Sequence, residues 1–163
     1  MHLAAVSSLT RSGGFRRPPS SAPRPELRVW SMNVLLVEDD AADTDLILNV
    51  LKRHPDVSAA HATDEPHLAL RQLASGKLKP DLVLLDIHMP RIDGFEFLAR
   101  LRRIPAMVSV PVVFLTTSCL ARDAAAARDG SASLYVIKPD TYHELHARLD
   151  VVIRRAISDY WNR

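Results

Sequence analysis

Short continuous apolar runs alternate along this chain with stretches whose apolar residues recur every three or four positions. Leu82-Val83-Leu84-Leu85 is one such run, closed by Asp86, and it reads as a strand buried on both faces. Pro90 and Gly94 mark a turn after it, and Phe95, Leu98, Leu101 and Ile104 then fall at helical spacing. Upstream, Asn33 to Val37 is a second run that stops at Glu38-Asp39-Asp40. Leu46, Ile47, Val50 and Leu51 follow as one face of a helix, with Asp43 or Thr44 available as its N-cap. Val57 to His61 is a weaker strand. Leu68, Leu70 and Leu73 after Asp64-Glu65-Pro66 predict a helix that carries its proline in the first turn. Val110 to Thr116 is a buried strand ending in the hydroxyls of Thr116, Thr117 and Ser118, and an alanine-rich helix over 121–128 is closed by Asp129-Gly130. Leu134 to Ile137 is the fifth strand, ending at Lys138-Pro139. The last helix opens with the capping box Thr141-x-x-Glu144 and turns Leu145, Leu149, Val152, Ile153, Ala156, Ile157 and Tyr160 to one side.

Five strands alternating with five helices predict an α/β fold: a doubly wound (βα)5 parallel sheet covered on both faces, flavodoxin-like, with strand order 2-1-3-4-5. At 163 residues the chain is long enough for one domain with a proper core. Its single cysteine, Cys119, excludes an intrachain disulfide and a thiolate metal cluster, which suits the cytoplasm. No stretch approaches the apolar length of a membrane span.

Charge divides the chain unevenly. Residues 1–31 hold five arginines against one glutamate, leaving residues 32–163 with sixteen basic and eighteen acidic side chains. That leader is rich in Ser, Gly and Arg-Pro pairs without an apolar period and reads as a disordered basic segment ahead of a domain at 32–163. A second expectation is that translation starts at Met32, just before the first strand. One short basic segment is a weak signal for nucleic acid, and no binding to it is expected.

In the order 2-1-3-4-5 the first and third strands are neighbours, so Glu38 and Asp39 share a crevice with Asp86. Clustered carboxylates repel unless a cation sits among them, and hard oxygen donors without Cys favour Mg²⁺ or Mn²⁺ over zinc. Thr116 and Lys138 end the fourth and fifth strands on the same edge. A carboxylate beside a divalent ion, a lysine and a hydroxyl is the set that phosphoryl transfer to an aspartate needs: Asp86 would attack in line, with Lys138 and Thr116 on the phosphoryl oxygens.

Val37-Glu38-Asp39-Asp40, Leu84 to Pro90 with Asp93-Gly94, Leu115-Thr116-Thr117 and Tyr135-Val136-Ile137-Lys138-Pro139 together resemble the receiver domain of bacterial two-component response regulators, over residues 32 to about 158. The resemblance implies that Asp86 accepts a phosphoryl group from a sensor histidine kinase. It implies that Asp39 binds Mg²⁺ directly, Glu38 largely through water, and Asp86 and the backbone carbonyl of His88 complete the metal set. Thr116 would be the switching hydroxyl, Tyr135 the aromatic that follows it, and Lys138 the phosphate's ion-pair partner; the Lys138-Pro139 bond is expected to be cis. Asp140, where many receivers carry an aromatic, and His88 depart from the common pattern and bear on phosphate lifetime. Thr116-Thr117-Ser118 and the long last helix ending Tyr160-Trp161 resemble the single-domain regulators that partner bacterial phytochromes. That resemblance implies a bacteriophytochrome kinase and a homodimer that uses Tyr160 and Trp161.

Each residue alone has a plainer reading. Asp86 could cap a turn, Glu38-Asp39-Asp40 could be a solvated helix approach, and Tyr135 could be core. His54, His61 and His67 are expected on the surface, and His143 and His146 on a polar helix face. A phosphatase of the haloacid dehalogenase type also uses an aspartyl nucleophile, but it places a second Asp two residues on, where this chain has His88. No enzymatic activity is expected. A DNA-binding regulator and a receiver-like binding module that is never phosphorylated are the rival functions.

Overall fold

A computed structural model of the chain describes residues 31–117, 132 and 134–161, the side chains of Tyr160 and Trp161 excepted. The basic leader, Cys119 and the helix expected over 121–128 lie outside the described residues, as does any side-chain contact of Tyr160 and Trp161. The elements run β1 (Met32–Val37), α1 (Ala41–Arg53), β2 (Val57–Thr63), α2 (Pro66–Ala74), β3 (Leu82–Leu85), α3 (Gly94–Leu101), a 3₁₀ turn (Pro105–Met107), β4 (Val112–Thr116), β5 (Leu134–Ile137) and a C-terminal helix (Tyr142–Trp161).

All strand pairs are parallel and the sheet order is β2-β1-β3-β4-β5, as the alternation of apolar runs and helical stretches requires. The pleat sends alternate side chains to opposite faces, and the core divides accordingly. Leu35, Val37, Val83, Leu85 and Phe114 pack under α2 and α3 on one side. Val34, Leu36, Leu82, Leu84, Val113 and Leu115 pack on the other, against Ile47, Val50 and Leu51 of α1 and Leu145, Leu149, Val152 and Ile153 of the C-terminal helix. β3 is buried at every residue because it has a neighbour on each side and a layer on each face. β2 is half exposed because it is the edge, which is why its apolar pattern is the weakest.

Several details differ from the sequence expectation. The N-cap of α1 is Asp40, whose side chain accepts from the Asp43 N–H at 2.8 Å; Asp43 and Thr44 lie inside the helix. Ile104 is not part of α3. It precedes Pro105, which pushes it to extended backbone (φ −86, ψ 114), and the helix ends at Leu101. His54 is buried, at 4% exposure, not on the surface. Its Nδ1 accepts the Asp56 N–H at 3.2 Å, which leaves the proton of the neutral ring on Nε2, 3.1 Å from Asp150 Oδ1 of the C-terminal helix. Among the described residues no peptide bond is cis, so Lys138-Pro139 is trans; the tertiary amide separates the isomers by only ~1 kcal/mol, and neighbouring contacts decide.

Candidate functional site

The carboxyl ends of β1 and β3 form the crevice. Val37 and Leu85 are register partners, so the next residue of each strand, Glu38 and Asp86, emerges at the same level. The Asp86 N–H donates to the Val37 carbonyl at 3.0 Å and the Glu38 N–H to that of Thr63 at 3.1 Å, carrying the sheet's hydrogen bonding one step past the strands. Both carboxylates are buried, whereas Asp39 is exposed. One ligand oxygen from each of Glu38, Asp39 and Asp86 lies within 4.8 Å of the others.

The loop after Asp86 is held from two sides. Asp86 Oδ1 accepts the Ile87 N–H at 2.8 Å, and the Gly94 N–H donates to the Ile87 carbonyl at 2.8 Å. Asp93 caps α3 by accepting the Glu96 N–H, also at 2.8 Å. Gly94 is needed for close approach rather than for a left-handed turn: a Cβ there would sit 2.4 Å from the Asp86 carbonyl oxygen. The left-handed residue of this loop is Arg91, at φ 73. His88 lies between these anchors with its side chain exposed.

β5 delivers Lys138. Its N–H donates to the Thr116 carbonyl at 2.7 Å, extending the β4–β5 ladder beyond the register pair of Thr116 with Ile137. Its Nζ reaches back across the crevice to Glu38 Oε2 at 2.5 Å and Asp43 Oδ2 at 2.7 Å, and stands 3.9 Å from Asp86 Oδ1. Thr116 is fully buried at the end of β4. Tyr135 is paired with Phe114 in register and packs against the core under α2 and α3.

Burial pushes the Glu38 carboxyl above its ordinary pKa, outweighing the hydrogen bond from Lys138. For Lys138, burial works downward, but hydrogen bonds to Asp43 and Glu38 prevail and the net shift is upward, so the ammonium stays charged. Among the described residues, the carboxylates of Glu38, Asp43 and Asp86 stand within 4.0 Å of this ammonium, and Asp39 adds a further carboxylate beside Glu38 and Asp86. An all-oxygen donor set at that spacing fits a hard divalent cation.

The structure therefore gathers Glu38, Asp39, Asp86 and Lys138 on one sheet edge and puts Thr116 at the end of the adjoining strand. Asp43 is the participant that sequence reasoning missed. An acid in a first helical turn complements the helix dipole without a further role, and no local signal tells it from one that reaches a lysine ninety-five positions away.

The family model for the response regulator receiver domain matches residues 34–150. The probable methanogenesis regulatory protein FilR2 of Methanothrix harundinacea is 31% identical over 132 residues, covering 78% of this chain and 82% of that protein. Several curated transcriptional regulators also match, and the chain spans about half their length. Among solved structures, the phosphorylated cyanobacterial phytochrome response regulator RcpA superposes with a TM-score of 0.71 at 28% identity, covering 79% of this chain and 96% of that one. The Mn(2+)-bound form of response regulator Rcp1 gives 0.65 at 30% identity, covering 74% and 91%. By its four strand-end motifs, its sheet order and the family model that spans most of its length, this chain belongs to the response regulator receiver domains.

Proposed function

We propose that this chain is a stand-alone response regulator. It accepts a phosphoryl group on Asp86 from a sensor histidine kinase, in a Mg²⁺- or Mn²⁺-dependent reaction, and passes the signal on by protein–protein contact in the cytoplasm rather than by enzymatic turnover. The observation that carries this reading is the convergence of Glu38, Asp39 and Asp86, with ligand oxygens within 4.8 Å of one another, beside the ammonium of Lys138. In the transfer, a carboxylate oxygen of Asp86 attacks the phosphorus of the donor phosphohistidine, the P–N bond breaks, and the imidazole leaves. Glu38, Asp39, Asp86 and the His88 carbonyl are the groups that would hold the cation, whose contribution when bound is positive charge against the phosphoryl oxygens. Lys138, 3.9 Å from Asp86 Oδ1, adds a second positive charge. Thr116 is the hydroxyl drawn to the new phosphoryl group, and Tyr135 the ring that follows it.

The likeness to RcpA supports pairing with a bacteriophytochrome kinase, and a homodimer built on the C-terminal helix with Tyr160 and Trp161 is part of the same reading. Residues 1–31 then form a basic leader outside the receiver unit at 32–163. Intact mass after incubation with acetyl phosphate and Mg²⁺ tests the central claim. A single phosphoryl adduct that is lost in Asp86→Asn and in EDTA is the expected result. An adduct that survives the substitution, or none with the wild type, overturns it.

A further inference from the structure

Lys138 is held by a carboxylate that the metal crevice does not need. Its ammonium has three N–H bonds and makes two short contacts, to Glu38 Oε2 and to Asp43 Oδ2, while Asp86 Oδ1 at 3.9 Å is beyond hydrogen-bond distance. Both holding groups come from one short stretch, the end of β1 and the first turn of α1. Asp43 is fixed there by the helix cap, because its N–H donates to Asp40 Oδ1 at 2.8 Å and anchors the turn from which its side chain extends.

The arrangement has a direct electrostatic consequence. The Lys138 side chain is 9% exposed, so its charge is poorly served by water and must be met by carboxylates. Among the described residues, only Glu38 would remain in short contact without Asp43, and the next carboxylate oxygen within ion-pair range of the ammonium is Asp86 Oδ1. A lysine that closed onto Asp86 would engage the nucleophile before any donor arrived and lower its reactivity. With Asp43 present, the ammonium waits short of Asp86, at a separation that an added phosphoryl group can bridge.

We propose that Asp43 is a positioning residue for phosphoryl transfer: by pairing with Lys138 it keeps the ammonium off the acceptor carboxylate and ready for a phosphoryl oxygen carried on Asp86. The role rests on the reading of Asp86 as phosphoacceptor. Asp43 itself neither gives nor takes a proton and touches none of the reacting atoms.

The test compares wild type, Asp43→Ala and Asp43→Glu in single-turnover phosphorylation by acetyl phosphate at saturating Mg²⁺, with a crystal structure of Asp43→Ala. Asp43→Ala should be slower by about tenfold or more, and Asp43→Glu, which restores the carboxylate, should come within about threefold of wild type. In the crystal structure Lys138 Nζ should lie within hydrogen-bond distance of Asp86. An Asp43→Ala protein that reacts at the wild-type rate, or one whose Lys138 has not moved toward Asp86, overturns the role. Failure of the wild type to take up any phosphoryl group sinks the phosphoacceptor reading instead, and the position of Lys138 in the variant then decides for or against Asp43 as the group that holds it.

Discussion

A methyl group on Gly94 would need space already filled by the backbone that carries Asp86. Its Cβ would lie 2.4 Å from the Asp86 carbonyl oxygen, 2.9 Å from Ile87 Cα and 2.9 Å from Phe114 Cε1. Two of these three neighbours are main-chain atoms and cannot rotate away, so α3 or the strand end must shift. Overpacking of this kind costs ~1–3 kcal/mol, and the higher end applies where backbone must yield. Alanine improves helix propensity by up to ~1 kcal/mol, which leaves a net loss of about 2 kcal/mol. That corresponds to a fall in Tm of about 5–10 °C for a domain of this size. The same displacement strains the Gly94 N–H to Ile87 carbonyl bond and moves the Asp86 carboxylate, so phosphorylation should slow by about tenfold. Urea unfolding followed by circular dichroism, with phosphorylation rates on the same samples, measures both. Gly76→Ala is the control: its φ of 72 makes alanine strained by ~1–2 kcal/mol, but its nearest neighbour, Lys79 Cε, is a comfortable 3.7 Å away. If Gly94→Ala were no more destabilising than Gly76→Ala and phosphorylated normally, close approach would not be the reason for a glycine at 94.

Two further substitutions probe the contact between α1 and the C-terminal helix, and a third the loop after β3. His54→Ala removes a buried ring, leaves the Asp56 N–H without its acceptor and cuts the tie to Asp150, at a cost of about 2–3 kcal/mol; a urea midpoint within error of wild type would contradict that account. Arg154 and then His54 hold the Asp150 carboxyl down to about 2 from 3.8. Its stabilisation is therefore present above pH 3.8 and lost as the pH falls through 2, and Asp150→Asn should flatten that acid limb in a pH series of melting curves. Arg91→Gly relieves a left-handed residue at ~1–2 kcal/mol and adds unfolded-state entropy of ~0.4–1 kcal/mol, for a net gain of about 0.5–1 kcal/mol that a lowered Tm would refute.

Among the described residues, the element types, the sheet class and most of the crevice were legible in the chain because they rest on local patterns. An all-apolar run such as Leu82–Leu85 can be satisfied only by a strand with neighbours and layers on every side, and a polar residue directly after such a run must emerge at the sheet edge. Four such edges with four kinds of functional group were enough to bring Glu38, Asp39, Asp86, Thr116 and Lys138 together once β1 and β3 were neighbours. What the sequence left open depends on pairs far apart in the chain. Asp43 meets Lys138 only because β5 ends opposite the first turn of α1, and His54 is buried only because the C-terminal helix brings Asp150 over it. The need for glycine at 94 likewise comes from α3 being packed directly on the Asp86 backbone, a distance that no periodicity encodes. Local physics chose the elements and the kinds of residue at their ends; tertiary packing chose which charges face each other, because Coulomb and contact energies depend on separation in space and not along the chain.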